Sequence, residues 1–587
     1  MTDEQQLRDL LLKVASEGIL SSPRLIDTAI PSAYHGVAAL EGGVRIDDED
    51  VAVWLVLDES FPLSLPRVFL RDPYEFGVIP HVDYRGFVCF AQEEGLVADQ
   101  DRPRDIIKEA LERTVEVLRR GRRRDNLGEF ADEFEAYWTQ ITEPMPLRVR
   151  SYFAPQQTTQ EIALLTEKIG EHERLHFSVG MEDLTRFWND RTPERITLHK
   201  AIALPLEPGS VVLPPRHDGP FWDIGTARAA IMANLSESNR RRFEKLAKKA
   251  HAVKEVVVVA LPRAQGGETL FGLQFTGIGR THPLLPMGTA QGITPIAVER
   301  RDQQYLVARG GGLRHLLGKR VLLVGGGAVG GHLAFELARA GVQQTTIVDS
   351  DRLTSDNGFR HVLGRDRWGQ LKVDALKAEI ERHLPYVVIE PIGRSIQAVL
   401  ADETLTLQRY DAIGVATGRP AVDLWINRQL QVDKYQGICV FTWLEPLGIG
   451  GHAVRVRARS CGGCLECLYS SPDDTRNAVE FRGAFAAPGQ SFGRALSGCA
   501  TLFTPYGSVD AVSTAALAVR LLVEGLASPE AASTFASWKG SAETFLAEGY
   551  RLSPRFGAPA EQLRIDGQSF RSPCCNVCQS PVAATAR

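Results

Sequence analysis

The chain has 587 residues, with 67 lysines and arginines against 72 aspartates and glutamates, for a net charge of −5. At 44% hydrophobic and 24% charged residues it is ordinary globular material, long enough for about three or four domains, and wholesale disorder is excluded. The near-neutral charge gives no reason to expect a nucleic-acid partner, no apolar run approaches the roughly 20 residues of a membrane span, and the start MTDEQQLRDLL is too polar for a signal peptide; a cytoplasmic protein with no nucleic-acid or membrane partner is expected.

In chain order, the stretch EQQLRDLLLKVASEG reads as a helix, and HGVAALEGGVRI, VAVWLVLD and RVFL read as strands. The amphipathic helix RDIIKEALERTVEVLRRG follows, ending in the basic run RGRRRD, read as a solvated helix end. After the acidic, aromatic stretch EFADEFEAYWTQI a new section starts near Ser151. Residues 151–315 hold a helix-like segment, ARAAIMANLSESNRRRFEKLAKKAH, and the buried-strand run KEVVVVALP, so α/β material with no catalytic motif is expected there. From Lys319 a β-α-β unit is clear: strand RVLLVGG, helix GGHLAFELARAGV, strand TTIVDSD. The predicted division is 1–150, 151–315 and 316–587, α/β overall, with a Rossmann-like sheet in the last part.

Gly325, Gly327 and Gly330 form a G-x-G-x-x-G at the strand-to-helix turn, where glycine lets the backbone approach a phosphate and the helix N-terminus offers unpaired N–H groups. Asp349 closes the next strand, at the spacing of an acid that grips a ribose hydroxyl. By themselves these residues fit NAD as well as ATP. Asp349 and Asp351, then Asn357, Arg360-His361, Gly369 and Lys372, resemble the adenylation domain of the ThiF/MoeB and ubiquitin-activating superfamily. That resemblance implies ATP and Mg2+, with Arg360 and Lys372 neutralising triphosphate charge while a carboxylate attacks the α-phosphorus. One departure stands out: Gly418 occupies the position of the family's magnesium-site acid, leaving Asp351 or Asp423 as substitutes. The family also lends an arginine across a dimer interface, for which Arg300, Arg301 and Arg309 are candidates.

Nine cysteines are too few for a disulfide scaffold, and the C-x-x-C spacings among Cys461, Cys464 and Cys467, and between Cys575 and Cys578, read as metal ligands in a reducing compartment. CGGCLECLYSSPDD and PCCNVCQ resemble the superfamily's paired turns, which together hold a four-thiolate Zn2+ site. Cys464 and Cys467 with Cys575 and Cys578 is the best register; Cys461 with Cys464 is the other. Between the halves, Cys499 precedes a loop and helix that resemble the crossover loop of activating enzymes, and the resemblance makes it the first thioester nucleophile.

Ile79-Pro80-His81 through Gly86 and Cys89, following the turn FPLSLP, resembles a ubiquitin-conjugating domain, whose catalytic cysteine lies three residues after a glycine. His81 stands where that family has an oxyanion-supporting asparagine, and Ile79 where it has a histidine. The whole order resembles the bacterial fusion enzymes of CBASS antiphage operons. It implies a relay: ATP adenylates a protein C-terminus, Cys499 and then Cys89 carry it as a thioester, and a lysine of a target protein receives it. By the same analogy the carried protein is a cGAS-like nucleotidyltransferase, the enzyme is a homodimer, and 151–315 is an inactive adenylation-like half. Rival readings are an activating enzyme for a ubiquitin-like or sulfur-carrier protein, a degenerate nucleotide-binding scaffold, and, weakest, an NAD oxidoreductase.

Overall fold

The structure is a computed structural model that describes residues 4–26, 34, 36–92, 95–142, 147–169, 172–180, 195–248, 254–457, 462–469, 481–495, 502–528, 530–573 and 575–578. Two compact units divide the chain, one running up to Asp302 and the other beginning at Gln303.

The first unit opens with helix α1 (Glu4–Ser16), followed by a four-stranded antiparallel sheet in chain order: β1 (Ser21–Leu25), β2 (Ala38–Ile46), β3 (Glu49–Leu57) and β4 (Arg67–Leu70). Alternating burial along β2 and β3 and the Leu7-Leu11-Val14 stripe of α1 join in one core, closed by α2 (Pro103–Arg123) through Ile107, Leu111 and Leu118. The basic run is more than a solvated end. Arg120 pairs with Glu129, Arg122 with Glu49 and Arg123 with Asp47, while Arg124 takes a left-handed backbone and donates to the Phe76 and Val78 carbonyls. Helix α3 (Phe130–Thr142) comes next.

The middle section is a closed seven-stranded barrel, with strands β5 (Leu147–Ser151), β6 (Gln160–Ile169), β7 (His172–Ser178), β8 (Arg195–Pro205), β9 (Lys254–Pro262), β10 (Glu268–Thr276) and β11 (Gly292–Arg300) in the order β10-β11-β5-β7-β6-β8-β9. Its lumen is filled by side chains such as Val149, Phe177, Val256 and Ile296. This corrects the expectation of an adenylation-like half, which would have been a parallel, helix-wound sheet. The predicted long helix over 227–251 is likewise two, α4 (Ile224–Met232) and α5 (Glu237–Ala247), because Ser236 restarts the helix by accepting the Asn239 N–H at 3.2 Å. Helix α3 packs on the barrel's outer face through Phe134 and Trp138, and the indole N–H donates to the Ile296 carbonyl at 2.9 Å.

The second unit starts with α6 (Gln303–Arg309) and is built on a seven-stranded sheet. Strands β12 (Arg320–Val324), β13 (Gln344–Val348), β14 (Val388–Ile392), β15 (Ala412–Val415) and β16 (Ile438–Leu444) are parallel; β17 (Gly450–Arg457) joins antiparallel. A two-stranded ribbon, β18 (Arg494–Ala495) with β19 (Leu502–Phe503), stands apart, and β20 (Thr534–Lys539) closes the edge, giving the order β14-β13-β12-β15-β16-β17-β20. Helices α7 (Ala328–Ala340), α8 (Lys372–His383), α9 (Ile396–Ala401) and α10 (Pro420–Val432) make the crossovers, and α11 (Ser508–Ala527) packs beside α7. Strands β12, beyond Arg320, and β15 are apolar without alternation because both sheet faces are covered there. The chain turns in opposite directions after β12 and after β15, which leaves a crevice at the carboxyl ends of those two strands.

Candidate functional site

The crevice at that reversal is a cleft of about 150 Å³. Gly325 ends β12 with φ +100°, and a Cβ there would meet the Ala416 carbonyl oxygen at 2.5 Å, so only glycine fits. Gly327 caps α7, and nothing lies within 4 Å of where its Cβ would be. That open space at a 13-residue helix's N-terminus suits a phosphate. Gly330 serves packing instead: its Cβ would lie 2.0 Å from the Gly325 carbonyl oxygen.

Asp349 accepts the Gly326 N–H at 2.7 Å and the Asp351 N–H at 2.8 Å, tying the glycine turn to the end of β13. Lys372 starts α8 and bonds the Asp351 carboxylate at 3.0 Å. Gly325, Gly327, Asp349, Asp351 and Lys372 therefore line one cleft. Asn357 and Arg360 are not among the residues lining the cleft: Asn357 caps its own turn, accepting the Thr354 N–H, and the Arg360 guanidinium lies 5.0 Å over the Tyr506 ring. The far wall, which sequence reasoning missed, carries Arg394, Ser395, Thr417 and Arg419. His361 braces the loop from behind, with Nε2 2.8 Å from the Gly326 carbonyl oxygen; burial lowers its pKa to about 4, so the ring is neutral and donates there.

At Gly418, φ is +64° and no acid is present. Asp423 does not replace it. It is buried under Thr417, whose hydroxyl donates to it at 2.5 Å, and burial pushes its pKa up to about 7. Asp349 and Asp351 are the carboxylates lining the cleft. Of the arginine candidates, Arg300 is buried and held by both carboxylate oxygens of Asp302, at 2.8 and 3.1 Å, and Arg301 is bound to Glu299.

The Sγ atoms of Cys464, Cys467, Cys575 and Cys578 all lie within 4.8 Å of one another and could hold a metal ion. Separations of 3.6 Å (Cys464–Cys575), 3.4 Å (Cys467–Cys578) and 4.0 Å (Cys464–Cys467) bracket the roughly 3.8 Å expected between thiolates bound tetrahedrally at about 2.3 Å. Asn427 donates to the Cys464 sulfur at 3.5 Å, as an outer partner of a ligated thiolate does. The register pairing Cys464 with Cys467 is the one brought together; Cys461 and Cys499 lie outside the described residues.

In the first unit, Cys89 is half-buried at the end of a loop that returns to the sheet through Leu70 N–H to Gly86 O (2.7 Å) and Val88 N–H to Val68 O (2.9 Å). Gly86 has φ +86°, and its Cβ would lie 2.3 Å from the Leu70 carbonyl oxygen, the physical reason a glycine precedes the cysteine by three. The Asp83 carboxylate accepts the Arg85 and Phe87 N–H groups, both at 2.8 Å, and burial raises its pKa. The Cys89 N–H donates to the His81 carbonyl at 2.8 Å. Beyond the cysteine, a groove of about 510 Å³ opens along Phe90, Ala91, Leu96 and Val97 and the α2 residues Ile106 and Ala110.

His81 is engaged on both ring nitrogens: Nε2 lies 2.7 Å from Glu129 and Nδ1 2.6 Å from Glu133. Its backbone N–H also donates to Glu133, at 3.0 Å. Hydrogen bonding to Glu133, reinforced by Glu129, raises its pKa against the opposing effect of burial, and a carboxylate at each ring nitrogen favours the charged, doubly donating form. Glu129, Glu133 and Tyr137 recur every fourth residue in the acidic, aromatic stretch, a helical stripe that the sequence displays and that was not connected to the site.

Residues 37–145 match the Prokaryotic E2 family B, and residues 301–548 match the ThiF family. The chain is a fusion of an E2-like domain and a ThiF-type adenylation domain. In class it is an ATP-dependent activating and conjugating enzyme. Among known proteins the fusion is 23% identical over 486 residues to the ATP-dependent ubiquitin transferase-like protein Cap2 of Pseudomonas aeruginosa, covering 80% of this chain and 84% of that one. It is 24% identical over 520 residues to the Escherichia coli protein of the same name, with the same coverage. The solved structure of E. coli MccB with AMPCPP and MccA aligns over 47% of this chain and 69% of that chain, at 16% identity and a TM-score of 0.32. Among the described residues of the fusion no helix is long and apolar enough to cross a membrane.

Proposed function

We propose that the fusion energises a protein C-terminus at the β12–β15 crevice and passes it along two cysteines to a lysine. The C-terminal carboxylate attacks the α-phosphorus of ATP and pyrophosphate leaves; the Cys499 thiolate attacks the acyl carbon and AMP leaves. Cys89 displaces Cys499 in a second thioester, and an amine displaces Cys89, forming an amide and releasing the thiolate. The observation that carries this reading is that one chain holds both an open, glycine-lined phosphate cradle at Gly327 and a half-exposed cysteine locked at the end of an E2-like loop.

In this reading Gly325, Gly327 and the α7 N-terminus cradle phosphates, Lys372 neutralises their charge, and Arg360 would leave the Tyr506 ring to join it. Mg2+ would add charge neutralisation between phosphate oxygens, with Asp349 and Asp351 the carboxylates in reach of the cleft. Zn2+ at the four thiolates would tie residues 575–578 to the 464–467 turn, a closed site with no open position for chemistry. The groove beyond Cys89 takes the extended tail of the carried protein. In this reading, by the resemblance of the domain order to the CBASS fusion enzymes, the carried protein is a cGAS-like nucleotidyltransferase and the enzyme acts as a homodimer.

Incubation with ATP and a protein bearing the matching C-terminus, followed by mass spectrometry, should reveal thiol-sensitive adducts on both cysteines. Cys499→Ala should abolish both, and Cys89→Ala should leave the first and stop ligation. A lysine-linked product formed by Cys89→Ala would refute the order of the relay.

A further inference from the structure

His81 sits where the resemblance puts an oxyanion donor, yet neither ring N–H is available: Glu129 occupies Nε2 and Glu133 occupies Nδ1. Its backbone is left-handed, φ +66°, a conformation that costs a non-glycine residue free energy and persists only where surrounding contacts impose it. Those contacts are concentrated on this residue. Glu133 binds both the ring and the backbone N–H, Glu129 binds the ring and is itself paired with Arg120 of α2, and the Tyr137 hydroxyl accepts the neighbouring Val82 N–H while donating to the Ile79 carbonyl. The outcome of this fixed conformation is the orientation of one carbonyl, that of His81, which accepts the Cys89 N–H at 2.8 Å.

The clamp is anchored elsewhere. Phe134 and Trp138, one residue along from Glu133 and Tyr137, bury the adjoining stripe of α3 against the barrel, and Trp138 is bonded to Ile296. The barrel thus holds a helix that holds the cysteine loop.

We infer that His81 is a positioning residue, an imidazolium strut between Glu129 and Glu133 that fixes the Cys89 backbone, and that it is not the oxyanion donor of the transfer step. This deepens the relay reading, because it concerns the cysteine that hands over the acyl group. Around the ring stand Glu133 and Tyr137 from α3, Glu129 from the turn before it, and Arg120 from α2; Arg124 from α2 bonds the loop's Phe76 and Val78 carbonyls, and Asp83 and Arg85 lie on the loop itself. Deprotonation of His81 removes the charge assistance of both ring contacts without altering a side chain.

Hydrogen–deuterium exchange of the full-length enzyme without substrates tests the strut directly and does not depend on the relay. In Glu133→Gln and His81→Asn the peptide containing Cys89 should exchange about tenfold faster, and the double variant no faster than either single, because the two residues act as one unit. In the unaltered protein the same amide should lose protection as rising pH deprotonates the imidazolium, and Glu133→Gln should move that loss to lower pH. Unchanged protection in both variants, or a pH of loss that Glu133→Gln does not move, overturns the inference. Single-turnover discharge of the Cys89 thioester to hydroxylamine then separates the two roles. A strut predicts that both variants slow discharge alike, whereas loss in His81→Asn with full retention in Glu133→Gln would make the ring a donor and refute the strut. If Cys89 never loads while the exchange results hold, the relay fails and the strut stands.

Discussion

The carbonyl oxygen of Gly325 lies where a Cβ on Gly330 would be, 2.0 Å away, whereas a Cβ on Gly327, between them in sequence, would meet nothing within 4 Å. The three glycines of one motif therefore do different work. Gly327→Ala should fold with unchanged thermal stability yet weaken ATP binding about tenfold or more by filling the phosphate space, while Gly330→Ala should cost on the order of 1–3 kcal/mol of stability. Isothermal titration with ATP, set beside thermal melts of both variants, checks the division.

Gly86 combines a positive φ with a Cβ position 2.3 Å from the Leu70 carbonyl oxygen. Gly86→Ala should destabilise the first unit by about 2–4 kcal/mol and disturb Cys89 without touching it. Denaturant titration, with alkylation of Cys89 as a local probe, reads both effects; a variant as stable as the parent would contradict the geometry.

Asp423 offers a pH test. Its carboxyl is buried, with a folded-state pKa raised to about 7 from an ordinary 3.8. The folded form therefore keeps a proton that the unfolded chain releases, so stability falls as pH rises from about 4 and levels off once pH passes about 7. Asp423→Asn keeps an acceptor for the Thr417 hydroxyl and removes the ionisation, so this part of the pH dependence of the second unit's melting should flatten, and the variant should be the more stable one above pH 7. Melts across that range in paired buffers decide it.

For the thiol cluster, purified protein should carry one equivalent of zinc, and Cys575→Ser should lose most of it, because the four sulfurs form one closed set. Metal binding to such a site is folding free energy, so chelation or Cys464→Ser should lower the melting point of the second unit while leaving the first unit's transition unmoved. Elemental analysis alongside calorimetry measures both.

What was legible in the residues was local. The E2-like order was readable because Gly86 and Cys89 sit three apart on one loop, and the nucleotide cradle because Gly325, Gly327 and Gly330 share one turn. The far wall was not: Arg394 and Arg419 reach the cleft only because β14 and β15 lie on either side of the β13–β12 pair, an order that no local pattern records. The barrel was misjudged because buried strands such as KEVVVVALP look alike whether they pair in a parallel sheet or around a closed lumen.

The sequence alone determined the chemistry on offer: a phosphate turn, a pair of C-x-x-C turns and a cysteine behind a glycine, each dictated by what the backbone or a ligand demands of consecutive residues. Tertiary structure alone decided which of these groups meet and in what state. Cys464 finds Cys575 across 111 residues, and His81 finds Glu133 across 52 and Glu129 across 48, which together raise its pKa. Conformational demands are short-ranged and leave their mark on neighbouring residues. Partnerships and ionisation depend on burial and on distances that packing sets, so they exist only once the chain is folded.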